Sequence, residues 1–279
     1  MLCKTVDINL DYEGLNIDNG GYKPTLSVML PDNCARLYGG RKYPMVIICP
    51  GGGYEFTSDR EAEPVSLKFA AAGFNTAILR YSVGKAKFPA ALFELASAVA
   101  MLREHADEWN IDGDKIFICG FSAGGHLCAS FGTLWNRDFV KNALGYKNEE
   151  HKPNGMILCY PVITSGEKAD LSSINALLED MANDENMLNL VSAEKQVSSD
   201  TPPAFIWHTF TDDDVPVENS LLMAAALKDN EIQFELHIFP RGPHGLSIAN
   251  SITAGGRNNY IVPECQQWID MAIRWAENL

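Results

Sequence analysis

Apolar residues occur along the chain in short continuous runs, and the longer segments between most of these runs have apolar positions spaced three or four residues apart. Such runs are typical of strands buried on both faces of a sheet, and the wider spacing is typical of helices that cover it. Strands of this kind are predicted at 45–49, 74–79, 116–119, 155–160, 204–208 and 233–239. Helices are predicted at 58–72, 89–109, 217–230 and 263–278, and directly after residue 122. The alternation predicts an α/β fold with a mostly parallel sheet and right-handed crossovers.

Two segments depart from this alternation. Residues 4–10 and 25–30 read as strands joined through the turn-rich Asn19-Gly20-Gly21, which predicts an antiparallel edge of the sheet. Residues 162–202 are polar, acidic and rich in Ser and Asn, with scattered leucines and no strand pattern. A long excursion inside a compact domain is commonly functional. We therefore expect one domain, 1–279, with 162–202 as a candidate lid, and a pair of surface helices that only pad the fold is the alternative.

Composition fits a single large α/β domain, since 46% of the 279 residues are hydrophobic and 21% are charged. The 36 acidic residues outnumber the 22 basic ones and give a formal charge of -14. Without a cluster of Lys and Arg, this charge argues against nucleic acid and anionic membranes as partners. Neutral or cationic substrates are favoured, unless the acidic surface serves only solubility.

The first residues show no basic region followed by an apolar core, and no uncharged apolar run reaches membrane-spanning length, so a cytoplasmic location is expected. The seven cysteines are an odd number without a C-x-x-C pair, which favours structural thiols in a reducing compartment. They are Cys3, Cys34, Cys49, Cys119, Cys128, Cys159 and Cys265. Neither their spacing nor that of the six histidines predicts a metal site.

The first candidate for chemistry is the stretch Gly120-Phe121-Ser122-Ala123-Gly124, which fits G-x-S-x-G between a predicted strand and a predicted helix. A serine at such a sharp turn presents its hydroxyl above the sheet, and the small residues two places away let strand and helix approach closely. Ser122 is therefore the predicted nucleophile. The N–H of Ala123, at the start of the helix, could bind an oxyanion formed beside it.

Two further groups follow predicted strands, where ligands and catalysts collect in open α/β sheets. Asp212, Asp213 and Asp214 come after one strand, and His244 lies in a Gly- and Pro-rich loop after the next. A histidine can take the serine proton, and a carboxylate behind it fixes the tautomer and stabilises the imidazolium. The order serine, acid, histidine is that of an α/β-hydrolase. Position alone leaves all three aspartates open as the acid.

Four segments carry a specific family resemblance. They are ICPGGGY at 48–54, EWNIDGDKIFICGFSAGGHL at 108–127, TPPAFIWHTFTDDDVPVENSL at 201–221 and FPRGPHGL at 239–246. With these segments the chain resembles the α/β-hydrolase superfamily, and within it the esterase branch related to hormone-sensitive lipase and to bacterial acetylxylan and feruloyl esterases. The resemblance implies an α/β-hydrolase fold over most of the chain, with a mostly parallel central sheet, helices on both faces and a small lid insertion.

Residue by residue, the resemblance implies Ser122 as nucleophile, Asp212 as acid and His244 as base. Asp212 is preferred because the family acid lies four residues after the histidine that ends the strand, here His208, and four before the proline, here Pro216. The other two aspartates become weaker candidates.

The family motif also implies that the N–H groups of Gly52 and Gly53 join that of Ala123 in an oxyanion hole. One residue departs from the hormone-sensitive lipase pattern, since Pro50 stands where that branch has histidine. The proline is closer to the sugar-esterase-like branch, and it leaves the donor pair open. His126 lies one helical turn after Ser122, beneath the elbow, and we expect it to be structural.

Together these features predict a serine carboxylesterase that works through an acyl-enzyme and needs no cofactor. The resemblance implies a short acyl group, acetyl first, on a carbohydrate or a similar small polar alcohol. A small-molecule ester, such as an acetylated sugar, is therefore the expected partner, and a homo-oligomer stays open. Two alternatives remain: a peptidase like prolyl oligopeptidase, and a catalytically silent relative that binds a ligand.

Overall fold

The structure is a computed structural model that describes residues 1–33, 36 and 39–279. Its strands are β1 (Leu2–Asp7), β2 (Thr25–Leu30), β3 (Tyr43–Cys49), β4 (Asn75–Arg80), β5 (Ile111–Phe121), β6 (Gly155–Cys159), β7 (Ala204–Thr209) and β8 (Phe234–Phe239). Its α-helices are α1 (Glu63–Ala71), α2 (Ala90–Glu104), α3 (Ala123–Leu134), α4 (Asp138–Leu144), α5 (Leu171–Leu178), α6 (Glu185–Val191), α7 (Glu218–Asp229) and α8 (Trp268–Asn278). Among the described helices, none is both long and apolar enough to cross a membrane.

All described strands form one sheet in the order β1-β2-β4-β3-β5-β6-β7-β8. β1 pairs antiparallel with β2, and β2 pairs antiparallel with β4. Every other neighbouring pair is parallel. The predicted antiparallel edge and mostly parallel sheet are thus confirmed, and the carboxyl ends of β3, β5, β7 and β8 meet at one edge.

Helices cover both faces of the sheet, as predicted, because the parallel strands have no polar face to expose to water. Ile47 and Ile48 are adjacent in β3 and are both fully buried, one in each of two core clusters. The first cluster includes apolar side chains of α2, α3 and α7, and the second includes those of α1 and α8.

The cysteines that the structure describes are free thiols, buried except for Cys3. Cys34 lies outside the described residues. The buried thiols occupy the core as small apolar side chains do, which fits the structural role expected of the cysteines.

The helix predicted over 58–72 is interrupted in the structure. Residues Asp59–Glu61 form a single 3₁₀ turn, and α1 begins only at Glu63, because Ala62 between them has a non-helical backbone. Pro64, in the first turn of α1, is compatible with a helix start but not with a helix that continues from Ser58. The interruption turns the side chain of Glu61 inward, where only 4% of it is exposed.

Residues 162–202 contain α5 and α6 with two 3₁₀ turns, and no strand lies within this fully described segment. Ile174, Leu177 and Leu178 of α5 are buried in the core cluster that also holds α2 and α3. The N–H of Phe88 donates to the carbonyl of Leu177 at 3.0 Å, which fastens α5 to the start of α2. The assignment of this segment as a lid stays a prediction.

Candidate active site

Ser122 occupies the sharp turn between β5 and α3. Its backbone has φ 53° and ψ -119°, a left-handed conformation that L-residues rarely adopt. A Cβ atom on Gly120 would lie 2.0 Å from the carbonyl oxygen of Gly124, and one on Gly124 would lie 2.1 Å from that of Cys49. Because these are backbone atoms, only glycine fits at either position. The turn holds the Ser122 side chain at the rim of a cavity.

The structure brings Ser122, His244 and Asp212 into one hydrogen-bonded chain. Ser122 Oγ lies 2.8 Å from His244 Nε2, so the hydroxyl can donate to the imidazole. On the other side of the ring, His244 Nδ1 lies 2.7 Å from Asp212 Oδ2 and can donate to it. Asp213 and Asp214 have exposed side chains that line the cavity instead. Of the three aspartates, Asp212 is the one behind the histidine.

Hydrogen bonds hold the Asp212 carboxylate in its ionised form. Its Oδ1 atom accepts from the N–H groups of Asp214 at 3.1 Å and Val215 at 2.9 Å. Burial alone would raise the pKa of Asp212, but hydrogen bonds from His208 and His244 and the charge of His244 outweigh it and hold the pKa well below the usual range. Asp212 is therefore a permanent negative charge beside the imidazole at neutral pH.

The same carboxylate raises the basicity of His244. Burial would lower the pKa of His244, whereas the hydrogen bond to Asp212 and the Asp212 charge raise it, with further contributions from Glu61 and Asp214. The net effect is a pKa above that of an ordinary histidine. His244 is thereby suited to accept the proton of Ser122 and to carry it as an imidazolium.

In the sequence, His208 was used only as the position from which the acid is counted, yet its side chain supports Asp212 directly. Its side chain is fully buried, and Nε2 donates to the carbonyl of Val215 at 2.9 Å while lying 3.3 Å from Asp212 Oδ2. Its Nδ1 atom lies 2.8 Å from Ser220 Oγ. The carboxylate thus lies between two histidines. A histidine at the end of a fully buried strand was the available signal for this role.

The Gly51-Gly52-Gly53 loop after β3 packs against the elbow. A Cβ on Gly51 would lie 3.0 Å from Ser122 Cβ, and one on Gly52, which has φ 132°, would lie 2.2 Å from the carbonyl oxygen of Phe56. Glycine is therefore required for the loop to approach the serine this closely. Within the described residues, the N–H groups of Gly52, Gly53 and Ala123 have no protein acceptor.

Pro50 precedes this loop at the position where a histidine was expected in the lipase branch. Its carbonyl accepts a hydrogen bond of 2.6 Å from the hydroxyl of Tyr81, which is fully buried. The loop is thus anchored by a backbone carbonyl, which a proline retains although it lacks an N–H group.

His126 lies in the interior, with 1% exposure, and contacts other partners than Ser122 Oγ. Its Nε2 atom donates to the carbonyl of Val191 at 2.7 Å, and its Nδ1 atom accepts from the hydroxyl of Tyr54 at 2.7 Å. Burial lowers its pKa to about 4, against the opposing effect of the bond to Val191. The neutral ring links α3 to the end of α6, which is the structural position expected from the sequence.

A cavity of about 530 Å³ opens over Ser122 and His244. Its wall is rich in carboxylates and also contains two aromatic rings and two hydroxyls of α5. The carboxylates are Glu55, Glu61, Asp170, Asp213 and Asp214, the rings are Phe56 and Tyr260, and the hydroxyls are Ser172 and Ser173. Asp170, Ser172 and Ser173 of the predicted lid therefore contribute to the wall of the site.

Comparison with known proteins places this architecture in a family. The model of the family described as BD-FAE matches residues 34–227. Endo-1,4-beta-xylanase B of Butyrivibrio fibrisolvens is 42% identical over 74% of the chain, and an acetylxylan esterase of Xylanibacter ruminicola is 29% identical over 84% of it. The crystal structure of an acetyl ester-xyloside bifunctional hydrolase from Caldicellulosiruptor lactoaceticus superimposes with a TM-score of 0.80 and 34% identity.

The extent of these matches differs between the relatives. The aligned region covers 33% of the xylanase and 46% of the acetylxylan esterase, so the chain spans less than half of either curated relative. The solved hydrolase matches over 99% of this chain and 96% of its own. Its full-length agreement extends the likeness beyond residues 34–227 to the whole sheet. The chain belongs to the BD-FAE family and has the α/β-hydrolase fold of its esterase relatives.

Proposed function

We propose that the chain is a carboxylic ester hydrolase in which Ser122 is the nucleophile, His244 the general base and Asp212 the acid of a catalytic triad. The observation that carries the proposal is the continuous hydrogen-bonded chain from Ser122 Oγ through His244 to Asp212, with distances of 2.8 and 2.7 Å. Both contacts lie within the reach that proton transfer requires. Esterases among the relatives support the same reaction class.

In this mechanism His244 Nε2 takes the Ser122 proton as Oγ attacks the ester carbonyl carbon. The carbonyl oxygen becomes an oxyanion that the free N–H groups of Gly52, Gly53 and Ala123 stabilise. Collapse of the tetrahedral intermediate breaks the bond to the alcohol oxygen, which takes the proton from His244 and leaves. A water molecule, deprotonated by the same imidazole, then attacks the acyl-enzyme, releasing the carboxylic acid and restoring Ser122.

For the substrate we infer a short acyl group, acetyl first, on a carbohydrate or a comparable polar alcohol. Two relatives support this class, being named as an acetylxylan esterase and an acetyl ester-xyloside bifunctional hydrolase. A third, named as a xylanase, supports the carbohydrate part alone. The cavity supports it too, because its wall offers many carboxylates and hydroxyls and few apolar side chains. Hydroxyl-rich sugars find hydrogen-bond partners in such a wall, whereas a long acyl chain needs an extended apolar groove. Within the single domain, residues 162–202 would then supply alcohol contacts through Ser172 and Ser173.

The test is acetate release from acetylated xylo-oligosaccharides, measured beside hydrolysis of p-nitrophenyl esters with acyl chains of two, four and eight carbons. The proposal expects release from the sugars and preference for the two-carbon ester. Ser122→Ala is expected to lower turnover by at least about 10³-fold while the fold persists. Ser251→Ala is the matched control, since Ser251 is exposed and outside the cavity.

Other outcomes would show whether the mechanism, the substrate class or the reaction class is wrong. Turnover near the wild-type rate in Ser122→Ala would refute the mechanism. Preference for the eight-carbon ester without acetate release would refute the substrate class and leave the triad chemistry in place. Hydrolysis of aminoacyl amides in place of esters would favour a peptidase, and a folded protein whose Ser122 fails to react with a fluorophosphonate probe would favour a silent relative.

A further inference from the structure

Glu61 is a buried carboxylate at the active site that the triad mechanism does not use. It comes from the 3₁₀ turn before α1, and 4% of it is exposed where it lines the cavity with Ser122 and His244. Its Oε2 atom accepts the N–H of Gly51 at 2.9 Å, and its Oε1 atom accepts the hydroxyl of Tyr160 at 2.7 Å. Each carboxylate oxygen therefore has one defined donor.

The first of these bonds holds the glycine loop. Gly51 begins the loop whose next two residues line the cavity, and a Cβ on Gly51 would lie 2.8 Å from Glu61 Oε2. The loop also touches the elbow, since the same Cβ would lie 3.0 Å from Ser122 Cβ. A shift of Glu61 would therefore move the loop relative to the nucleophile.

The second bond reaches the loop that carries His244. Tyr160 accepts the N–H of Ser247 at 2.9 Å, and its ring packs edge-on against the His244 ring at 5.1 Å. Arg60, the neighbour of Glu61, donates to the carbonyl of Gly245 at 2.9 Å and accepts from Ser247 Oγ at 2.6 Å through its own carbonyl. The turn Asp59–Glu61 thus contacts the histidine loop at Gly245 and at Ser247.

We propose that Glu61 is a positioning residue that fixes the glycine loop and the His244 loop in one relative geometry. Its carboxylate also adds to the negative charge that favours the imidazolium form of His244. The inference rests on the proposed function, because it assigns a role in ester hydrolysis. A Cβ on Gly245, the residue after His244, would lie 4.0 Å from Glu61 Oε1, and Glu61 and His244 line the same cavity. A carboxylate and an imidazolium at one partly buried site attract each other.

Other ionisable groups surround the pair. His244 also faces Asp212, bonded to its ring, and Asp214 across the cavity. Glu61 also faces the hydroxyls of Tyr160 and Tyr81 and the Cys159 thiol. Burial is the largest influence on these three groups, and burial and the Glu61 charge both raise the pKa of each. They stay neutral at ordinary pH. Arg60 is the cation next to Glu61 in the chain, and its guanidinium bonds to the backbone carbonyls of Gly245 and Thr253. Besides Asp214, the negative charge near His244 that can be removed without breaking the triad is that of Glu61.

The experiment compares wild type, Ser122→Ala, Glu61→Gln, Tyr160→Phe and Glu63→Gln. For each, kcat, KM and the pH profile of kcat/KM are measured with p-nitrophenyl acetate, and thermal unfolding checks the fold. Glu61→Gln keeps the size and removes the charge, whereas Tyr160→Phe keeps the charge and removes the bridge to Ser247. Glu63→Gln is the matched control, since it removes a charge two residues away on an exposed side chain.

Glu61→Gln is expected to lower kcat about tenfold or more, with KM changed much less, because a displaced oxyanion loop weakens transition-state binding. The acidic limb of its kcat/KM profile is expected to move to lower pH, since loss of a nearby negative charge lowers the pKa of His244. Tyr160→Phe is expected to lower kcat while its acidic limb stays at the wild-type pH. Glu63→Gln is expected to match wild type in both.

A Glu61→Gln variant with kcat within about twofold of wild type, or with an unmoved acidic limb, would overturn the inference. If Glu61→Gln fails to fold, Tyr160→Phe decides, and wild-type kcat in that variant would overturn it too. Ser122→Ala separates the two proposals. Full activity in Ser122→Ala refutes the proposed function, whereas an inactive Ser122→Ala beside a wild-type-like Glu61→Gln refutes only the role of Glu61.

Discussion

Two histidines near the elbow have opposite charge preferences, and their hydrogen-bond partners explain the difference. His244 bonds to a carboxylate, which raises its pKa. His126 bonds to the Val191 carbonyl and to the hydroxyls of Tyr54 and Ser130, with no carboxylate among these partners, and burial lowers its pKa to about 4. Proton binding to His126 would also break its bond with Tyr54, which needs an unprotonated Nδ1 if the hydroxyl is to donate. Protonation of His126 in acid should therefore destabilise the folded state.

The pKa of His126 predicts a stability loss in mild acid. The folded pKa of about 4 lies below the ordinary histidine value of 6.5, so between these pH values the unfolded chain binds a proton that the folded chain does not. Stability contributed by neutral His126 is complete above pH 6.5 and is lost as pH falls toward 4. Between pH 7 and pH 5 we expect about 2 kcal/mol less stability from this residue. Urea unfolding of wild type and His126→Gln at both pH values measures the difference.

The control for this experiment is His105→Gln. His105 is only partly buried and bonds to the Met101 carbonyl within its own helix end. If His126 is responsible, the free energy of unfolding of His126→Gln falls less between pH 7 and pH 5 than that of wild type, whereas His105→Gln follows wild type. Equal losses in all three proteins would show that another group controls the acid sensitivity.

Among individual residues, sequence and structure agree where the chemistry requires a local sequence pattern. Gly120 and Gly124 mark the elbow, and Asp212 and His244 follow strands, so Ser122 and its two partners were predictable and lie together. Glu61 and Tyr160 have no such mark. They are 99 residues apart in the chain, and only the break at Ala62 and the course of β6 bring their oxygens to 2.7 Å.

Among the elements, α5 shows how the 162–202 segment is fastened over the site. It carries Asp170, Ser172 and Ser173 to the cavity wall while its other face enters the core. Leu178 is 1% exposed and Leu171, at the first position of the helix, is 63% exposed. The same substitution at these two positions of one helix therefore distinguishes the effect of core packing on stability from the effect of helix propensity.

Leu178→Ala should destabilise the protein by about 2–4 kcal/mol, because it removes buried methyl groups and leaves a cavity. Leu171→Ala should change stability by less than about 0.5 kcal/mol, since the exposed side chain fills no core volume. Urea unfolding of both variants measures this. If Leu178→Ala kept wild-type stability, α5 would open independently of the core, which would favour a mobile lid over a fixed wall.

The elements also mark where sequence patterns stop being informative. Apolar periodicity located α1 and β5 but misplaced their ends. β5 extends from Ile111 to Phe121, beyond the apolar run at 116–119, because its polar first half pairs with β3 at Tyr43. α1 begins late because tertiary bonds of Arg60 and Glu61 hold the preceding turn in another conformation. Such long-range contacts leave no periodic trace in the sequence.

For the molecule as a whole, the formal charge of -14 and the acidic cavity act in the same direction. Glu55, Asp213 and Asp214 are exposed at the cavity, so their field reaches an approaching substrate. A cleft lined by one sign of charge raises the local concentration of the opposite sign and lowers that of its own. A sugar acetate carries no charge, so the field should not affect its binding. The field should instead change how fast charged esters reach the site and which of them are preferred.

This predicts how ionic strength changes kcat/KM for three phenyl acetates, one neutral, one with a trimethylammonium group and one with a carboxylate. At low salt the cationic ester should be favoured and the anionic ester disfavoured, by several-fold each. Between about 10 and 150 mM salt the Debye length falls from roughly 30 to 8 Å. The spread of kcat/KM among the three esters should therefore shrink, while kcat/KM of the neutral ester stays constant.

Comparing the wild type with the double variant Asp213→Asn, Asp214→Asn locates the source of the effect. A spread that narrows in the variant places the field in the cavity wall, and an unchanged spread assigns it to the net charge of the molecule. An identical salt response of all three esters would contradict electrostatic selection altogether.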